Sequence, residues 1–288
     1  MTEKSGQLIG QAEIIALATD GSSYTEGAAQ EAIFLAQACG AKLVVLHVIA
    51  INTESEFGAG VLSAVSALRE EISGHIDKFL QMAKDAGVVC EAFVEESWQP
   101  DKTIVELALR EKADILIMGR HGRAGLLKLL VGSMTAKVIG HGFPKVLVVP
   151  KDFAIGGEKV LVAVDGSESS DLAAEEAVGL GESCSNLKEV YAVSVASSEE
   201  GLAQAQELAD AVCRKGLQKA PHVAFHPLAL VGRHAPEAIT AAARERNVDM
   251  ILIGGHGKGL SKLLMGHVTE KVIGKAHCAV LVLKKQSA

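Results

Sequence analysis

Ile117-Met118-Gly119-Arg120-His121-Gly122 closes one apolar run of this sequence, and Leu252-Ile253-Gly254-Gly255-His256-Gly257 closes another. Each phrase follows a short stretch rich in branched residues and precedes a helical pattern. Both therefore read as the end of a buried strand whose glycines let the backbone wrap an anion. In the first copy nine residues separate Gly122 from Gly132-Ser133. A second glycine and a hydroxyl at a helix start can then converge with the first loop on one polyphosphate.

The rest of the chain repeats around these phrases. Asp20-Gly21-Ser22 follows the run 14–18 and returns as Asp165-Gly166-Ser167 after the run 160–164. Lys137-Val138-Ile139-Gly140 returns as Lys271-Val272-Ile273-Gly274, and Val146-Leu147-Val148-Val149 as Val280-Leu281-Val282-Leu283. The order is kept throughout, which marks a duplication. Strands are expected near 13–19, 42–49, 88–94, 113–118 and 145–149, with helical patterns over 26–40 and 61–86. The second copy places strands near 159–164, 188–195, 222–230, 248–253 and 279–283. Strands joined by long helices need right-handed crossovers, so each half is an α/β unit with a doubly wound parallel sheet. Pro150 to Gly157 reads as a linker, which divides the chain into domains 1–153 and 154–288. The second copy is shorter between its second strand and the following helix, where the first has a glycine- and acid-containing loop over 51–60. The apolar strands 146–149 and 280–283 need cover, and pairing with each other within the chain would supply it.

With 288 residues, 49% hydrophobic and only 3% aromatic, the composition suits helices packed on Val/Ile-rich parallel strands. A formal net charge of -7 gives no long-range attraction for nucleic acid or an anionic membrane. No apolar run reaches the length of a membrane span, and the amino terminus lacks the features of a secretion signal. Cys39, Cys90, Cys184, Cys213 and Cys278 form no C-x-x-C pair and read as reduced packing residues of a cytoplasmic protein. His222, His226, His234, His256, His267 and His277 show no metal-ligand spacing, and His222 and His226 fall on one expected strand; no metal site is expected.

Ligands of such sheets sit beyond the carboxyl ends of the strands, where the crossover direction reverses. Asp20 and Gly119 both lie at such ends. Between Gly119 and Lys137 stand Arg120, Arg123, Lys128 and Lys137 and no acidic residue, so charge and glycines point to one anion site.

The segment 119–149, with the early Asp20-Gly21-Ser22, resembles the universal stress protein family. Its Gly-x-x-Gly, nine-residue, Gly-Ser spacing is similar to that of the family's ATP-binding members, and the resemblance covers the chain as two tandem copies. It implies sheets of order 3-2-1-4-5 whose last strands pair in an intrachain pseudo-dimer, with a further homodimer left open. By position it implies Ala18 and Asp20 near the adenosine, Val48 and Met118 flanking base and ribose, and Gly119, Gly122, Gly132, Ser133, Met134 and Thr135 around the phosphates. Arg120 and Arg123 add the basic charge, and Ser133 with Thr135 offers hydroxyls to phosphate or an accompanying Mg²⁺. The second copy departs from the pattern: eight residues separate Gly257 from Gly266, and His267 stands where serine or threonine is expected. A second site would comprise Asp165, Val193, Ile253, Gly254, Gly257, Gly266, His267, Val268 and Thr269. No Walker lysine accompanies either glycine loop, so the expected role is a cytoplasmic, regulatory stress protein that binds ATP mainly in its first domain and is not an enzyme. Slow hydrolysis at Asp20, or an interaction protein with vestigial pockets or another small ligand, are the competing readings.

Overall fold

In this computed structural model the residues described are 9–51, 59–122, 131–256 and 265–285. The first half runs β1 (Ile14–Ala18), α1 (Glu26–Cys39), β2 (Lys42–Ala50), α2 (Ala59–Asp85), β3 (Cys90–Ser97), α3 (Pro100–Arg110), β4 (Ile115–Gly119), α4 (Ser133–Gly140) and β5 (Lys145–Val149). The second repeats it as β6 (Lys159–Ala163), α5 (Glu168–Ser183), β7 (Glu189–Ala196), α6 (Leu202–Lys219), β8 (Ala224–Val231), α7 (Ala235–Glu245), β9 (Met250–Gly254), α8 (His267–Lys275) and β10 (Ala279–Leu283). Every expected strand is present within a few residues. His222 precedes β8 rather than lying on it, because Pro221 and His222 form the turn after α6.

The strands form one sheet of order β3-β2-β1-β4-β5-β10-β9-β6-β7-β8. Pairing is parallel within each half, and β5 meets β10 antiparallel, with Leu147 opposite Leu281 and Val148 opposite Val280. The two apolar strands, each paired on one side only within its own half, thus cover each other's open edge. Pro227 is tolerated in β8 because that strand lies at the sheet edge.

Alternate strand residues feed two cores. One face packs Leu17, Val45, Ile117, Leu147, Val162 and Leu281 under α1, α2, α5 and α6. The other packs Ala16, Val44, Leu116, Val148, Leu161 and Val280 under α3, α4, α7 and α8. Both cores run through β5 and β10, so neither half closes a core alone.

Two expectations need correction. The missing length of the second half lies mostly in a helix: α2 has 27 residues and α6 has 18. Ala59 and Gly60, expected in a loop, already belong to α2. The segment after β5 is also less free than its glycines suggest. Glu31 accepts from Ile155 N at 3.0 Å, Asp249 accepts from the amides of Gly156, Glu158 and Lys159 at 2.8–3.1 Å, and Asn186 donates to Gly156 O at 2.8 Å. Partly buried Phe153 and Ile155 pack on the core.

Candidate functional site

The reversal of crossover direction falls between β1 and β4 and between β6 and β9. At the first, Ala18 pairs directly with Met118, both 4% exposed, and the chain leaves β1 through the Asp-Gly-Ser turn. Asp20 Oδ1 accepts from Ser22 N at 3.0 Å, and Asp165 Oδ1 from Ser167 N at 2.9 Å. Gly21 and Gly166 sit at φ 71° and 74°, a left-handed conformation that glycine takes without steric cost. In the first half the glycine loop closes on this turn. A Cβ on Gly122 would stand 2.6 Å from Asp20 Oδ2, so any larger residue must displace the carboxylate.

Across the crevice stand the starts of α4 and α8. Gly132 N donates to Arg120 O and Gly266 N to Gly255 O, both at 2.8 Å, so each glycine loop clasps its helix. Neither cap glycine offers a side-chain acceptor; Ala136 N donates to Gly132 O and Glu270 N to Gly266 O. Helix geometry leaves the amides of residues 133–135 and 267–269 without an intrahelical acceptor, and these are donors an anion can use. Ser133 and His267 are exposed at these starts. Thr135 and Thr269 do different work from that expected. Their buried hydroxyls donate back to Gly119 O at 2.9 Å and Gly254 O at 2.7 Å, pinning helix to strand.

In the second half these elements enclose a crevice of about 360 Å³. Its apolar end is made by Ala163, Val193, Val195, Ala235, Ile239 and Ile253, and its polar rim by Asp165, Ser167, His256 and His267, with buried Ser170, Gly266 and Thr269 and exposed Val268 beside them. Sequence reading placed Asp165, Val193, Ile253, Gly254, Gly266, His267, Val268 and Thr269 here, and they are together. It missed Val195, Ser170, His256, Ala235 and Ile239. The α7 residues could have been found from Pro236, which marks a helix start facing the end of β7. In the first half, Val48 and Met134 are partly buried against the same core as Ala18 and Met118. Arg123, Lys128 and Gly257 lie outside the described residues.

The two described members of the basic cluster, Arg120 and Lys137, point elsewhere. Arg120 turns away from its own loop and donates to Ile273 O at 3.4 Å and Ala276 O at 2.9 Å, at the far end of α8. A helix C-terminus attracts cations, and this one lies across the junction of the two halves. Lys137 is exposed in the last turn of α4, at the opposite end from Ser133. Among the described residues, the donors left at the start of α4 are its backbone amides and the Ser133 hydroxyl.

His121 Nδ1 and His277 Nδ1 are buried with no hydrogen-bond partner among the described residues. Desolvation and then the Arg120 charge hold the His121 imidazole below its usual value, and desolvation and then Arg244 do the same for His277. Below the ordinary histidine pKa of about 6.5 the unfolded chain binds protons that the fold resists, so stability falls as pH drops from 7 toward 5. The lowered carboxylates, Asp101, Glu189 and Glu237, act only below their own ordinary range. Urea midpoints measured across that window should decline, and His121→Gln should flatten part of the decline. Burial raises the Glu31 carboxyl, which opposes the decline, so a His121→Gln midpoint that falls with pH as steeply as the wild type is the result that would contradict the burial of that ring.

Among the described residues no three His, Cys, Asp or Glu side chains group as metal ligands, and no helix is long and apolar enough to cross a membrane. The five cysteines are free, and burial pushes the Cys278 thiol up to about 12.

Two doubly wound units, each with glycines at its switch point and joined strand to strand, define a tandem α/β protein. The sequence pattern of the universal stress protein family matches residues 12–150 and 157–284, and the chain belongs to that family. A universal stress protein of Methanocaldococcus jannaschii is 34% identical over 139 residues, covering 48% of this chain and 81% of that one. Another, from Synechocystis, is 27% identical over 294 residues and covers 94% of this chain and 99% of its own. The crystal structure of a universal stress protein from Archaeoglobus fulgidus superposes with a TM-score of 0.77 at 21% identity, over 98% of this chain and 99% of that one, a likeness of fold.

Proposed function

We propose that the chain is a regulatory protein that binds an adenine nucleotide at its switch-point crevices. The carrying observation is the second-half crevice. Its volume of about 360 Å³ falls in the range of small-molecule sites, roughly 300–1,000 Å³. An apolar end suits a purine, Asp165 at the rim suits an amine or hydroxyl, and the start of α8 suits phosphate. The first half supports the same ligand through its complete glycine spacing and the exposed start of α4 at Ser133. Mg²⁺ arriving with the nucleotide would be held by phosphate oxygens, with Ser133 Oγ as the protein's contribution. Domains 1–153 and 154–288 would each own one crevice.

Binding without turnover is favoured by the state of Asp20. One carboxylate oxygen is engaged by Ser22 N and the other packs against Gly122, which leaves a poor general base. If ADP accumulates faster with the wild type than with Asp20→Ala, the non-catalytic role is wrong.

Isothermal titration with ATP tests the binding. Gly122→Val should weaken the first site and Ala235→Trp, which fills the apolar end of the second crevice, should weaken the second. Loss of the buried contacts and charge-assisted bonds makes about tenfold the minimum expected for each. ATP binding of unchanged stoichiometry and affinity in the double variant would remove both crevices as the site.

A further inference from the structure

Arg120 and Lys284 do equivalent work from positions that are not equivalent. In the repeat, Arg120 after β4 corresponds to Gly255 after β9, whereas Lys284 after β10 corresponds to Pro150 after β5. Arg120 reaches out of the first half to the last turn of α8. Lys284 reaches out of the second half to the last turn of α4, donating to Ile139 O at 3.1 Å and Gly140 O at 3.3 Å. Gly255 makes this possible, since a Cβ there would lie 2.4 Å from Lys284 Cγ. One half thus uses arginine on the loop, and the other deletes the loop side chain to let a lysine through from the next strand.

Each cation also belongs to a crevice. Arg120 O holds Gly132 N at the mouth of the first, and Gly255 N at the mouth of the second bonds to Leu283 O, next to Lys284. The helix that Arg120 holds by its end begins with His267 at the second crevice. The helix that Lys284 holds begins with Ser133 at the first. Helices of eight and nine residues are stiff rods, roughly 12–14 Å long. Lys284 is 4% exposed, so its charge cannot turn to water if the carbonyls it faces move away.

Resting on the proposed function for its ligand arm, we infer that the two crevices are energetically coupled through this crossed pair of cations, so that a ligand held at one crevice shifts the helix start of the other. Arg120 and Lys284 are positioning residues here. Neither touches the ligand.

Amide hydrogen exchange on the full chain tests this. Without ligand, Arg120→Met should speed exchange across 266–270, the distant start of α8, and Lys284→Met across 132–136, by about fivefold or more, the lower range of ordinary allosteric couplings. Arg120→Lys, which keeps a cation in reach of the same carbonyls, should restore most of the protection, and Lys285→Met, at an exposed residue, should change neither segment. Acceleration confined to the last turns of α8 and α4 overturns the inference. With ATP added to Ala235→Trp, whose second crevice is filled, protection should appear at 119–122 and also at 266–270, and the latter should vanish when Arg120→Met is added. Protection at the first loop alone refutes the coupling and leaves nucleotide binding standing. If ATP protects neither crevice of the wild type, the proposed function fails, and the ligand-free comparison still decides the coupling.

Discussion

Leu147→Ala should lower the free energy of unfolding by about 2–5 kcal/mol, the range for emptying a large aliphatic position in a rigid core. Leu147 is fully buried in the middle of β5, opposite Leu281 across the antiparallel seam and beside Ile117 of β4. It belongs to a core that also contains Leu17 from the first half and Val162 from the second. The damage should therefore be felt by both halves at once. Urea unfolding followed by far-ultraviolet circular dichroism should show one transition, shifted to lower urea with its slope unchanged. Val89→Ala, at a residue 69% exposed, serves as the control and should move stability by no more than about 0.5 kcal/mol. Two resolved transitions in Leu147→Ala would mean that each half keeps a sufficient core of its own, contrary to the shared packing.

The seam was readable in sequence because its signal is local. Val146 to Val149 and Val280 to Leu283 carry apolar residues on both faces, and a strand of that kind cannot end a sheet in water. The turn at Asp20-Gly21-Ser22 was readable for the same reason, since left-handed backbone and a short acceptor side chain are properties of three adjacent residues. The fate of Arg120 was not. Its neighbours in sequence, Arg123 and Lys128, suggested a shared anion, but its partners Ile273 O and Ala276 O lie 153 and 156 residues away. Backbone carbonyls at a helix end carry no mark in the sequence. Thr135 and Thr269 fall into the same category, because a hydroxyl beside a glycine loop looks alike whether it faces ligand or strand. Ala235 and Ile239 were harder to place for a different reason: Pro236 marks the start of α7, but the helix pattern records only that one face is apolar, not that it reaches the crevice.

His267→Glu separates folding from binding at the second crevice, because the two should move in opposite directions. His267 is the first residue of α8, exposed, directly after the cap Gly266, and it lines the crevice. A carboxylate there faces the positive end of the helix, which favours the folded chain by about 0.3–1 kcal/mol. A phosphate drawn to the same amides meets that carboxylate instead. At roughly 5 Å and an effective dielectric near 20 the repulsion between unit charges is about 3 kcal/mol. Solvent screening at this exposed position trims the effect, so about 30-fold to 100-fold weaker ATP binding is expected, at 1.4 kcal/mol per tenfold. His267→Gln, without the charge, should bind within a fewfold of wild type. The measurement is a thermal melt beside an ATP titration, both in a Gly122→Val background so that only the second crevice is read. A carboxylate variant that melts higher and binds ATP more weakly assigns the phosphates to the start of α8. One that melts higher and binds ATP as before places the phosphates elsewhere and leaves that helix start a structural feature alone.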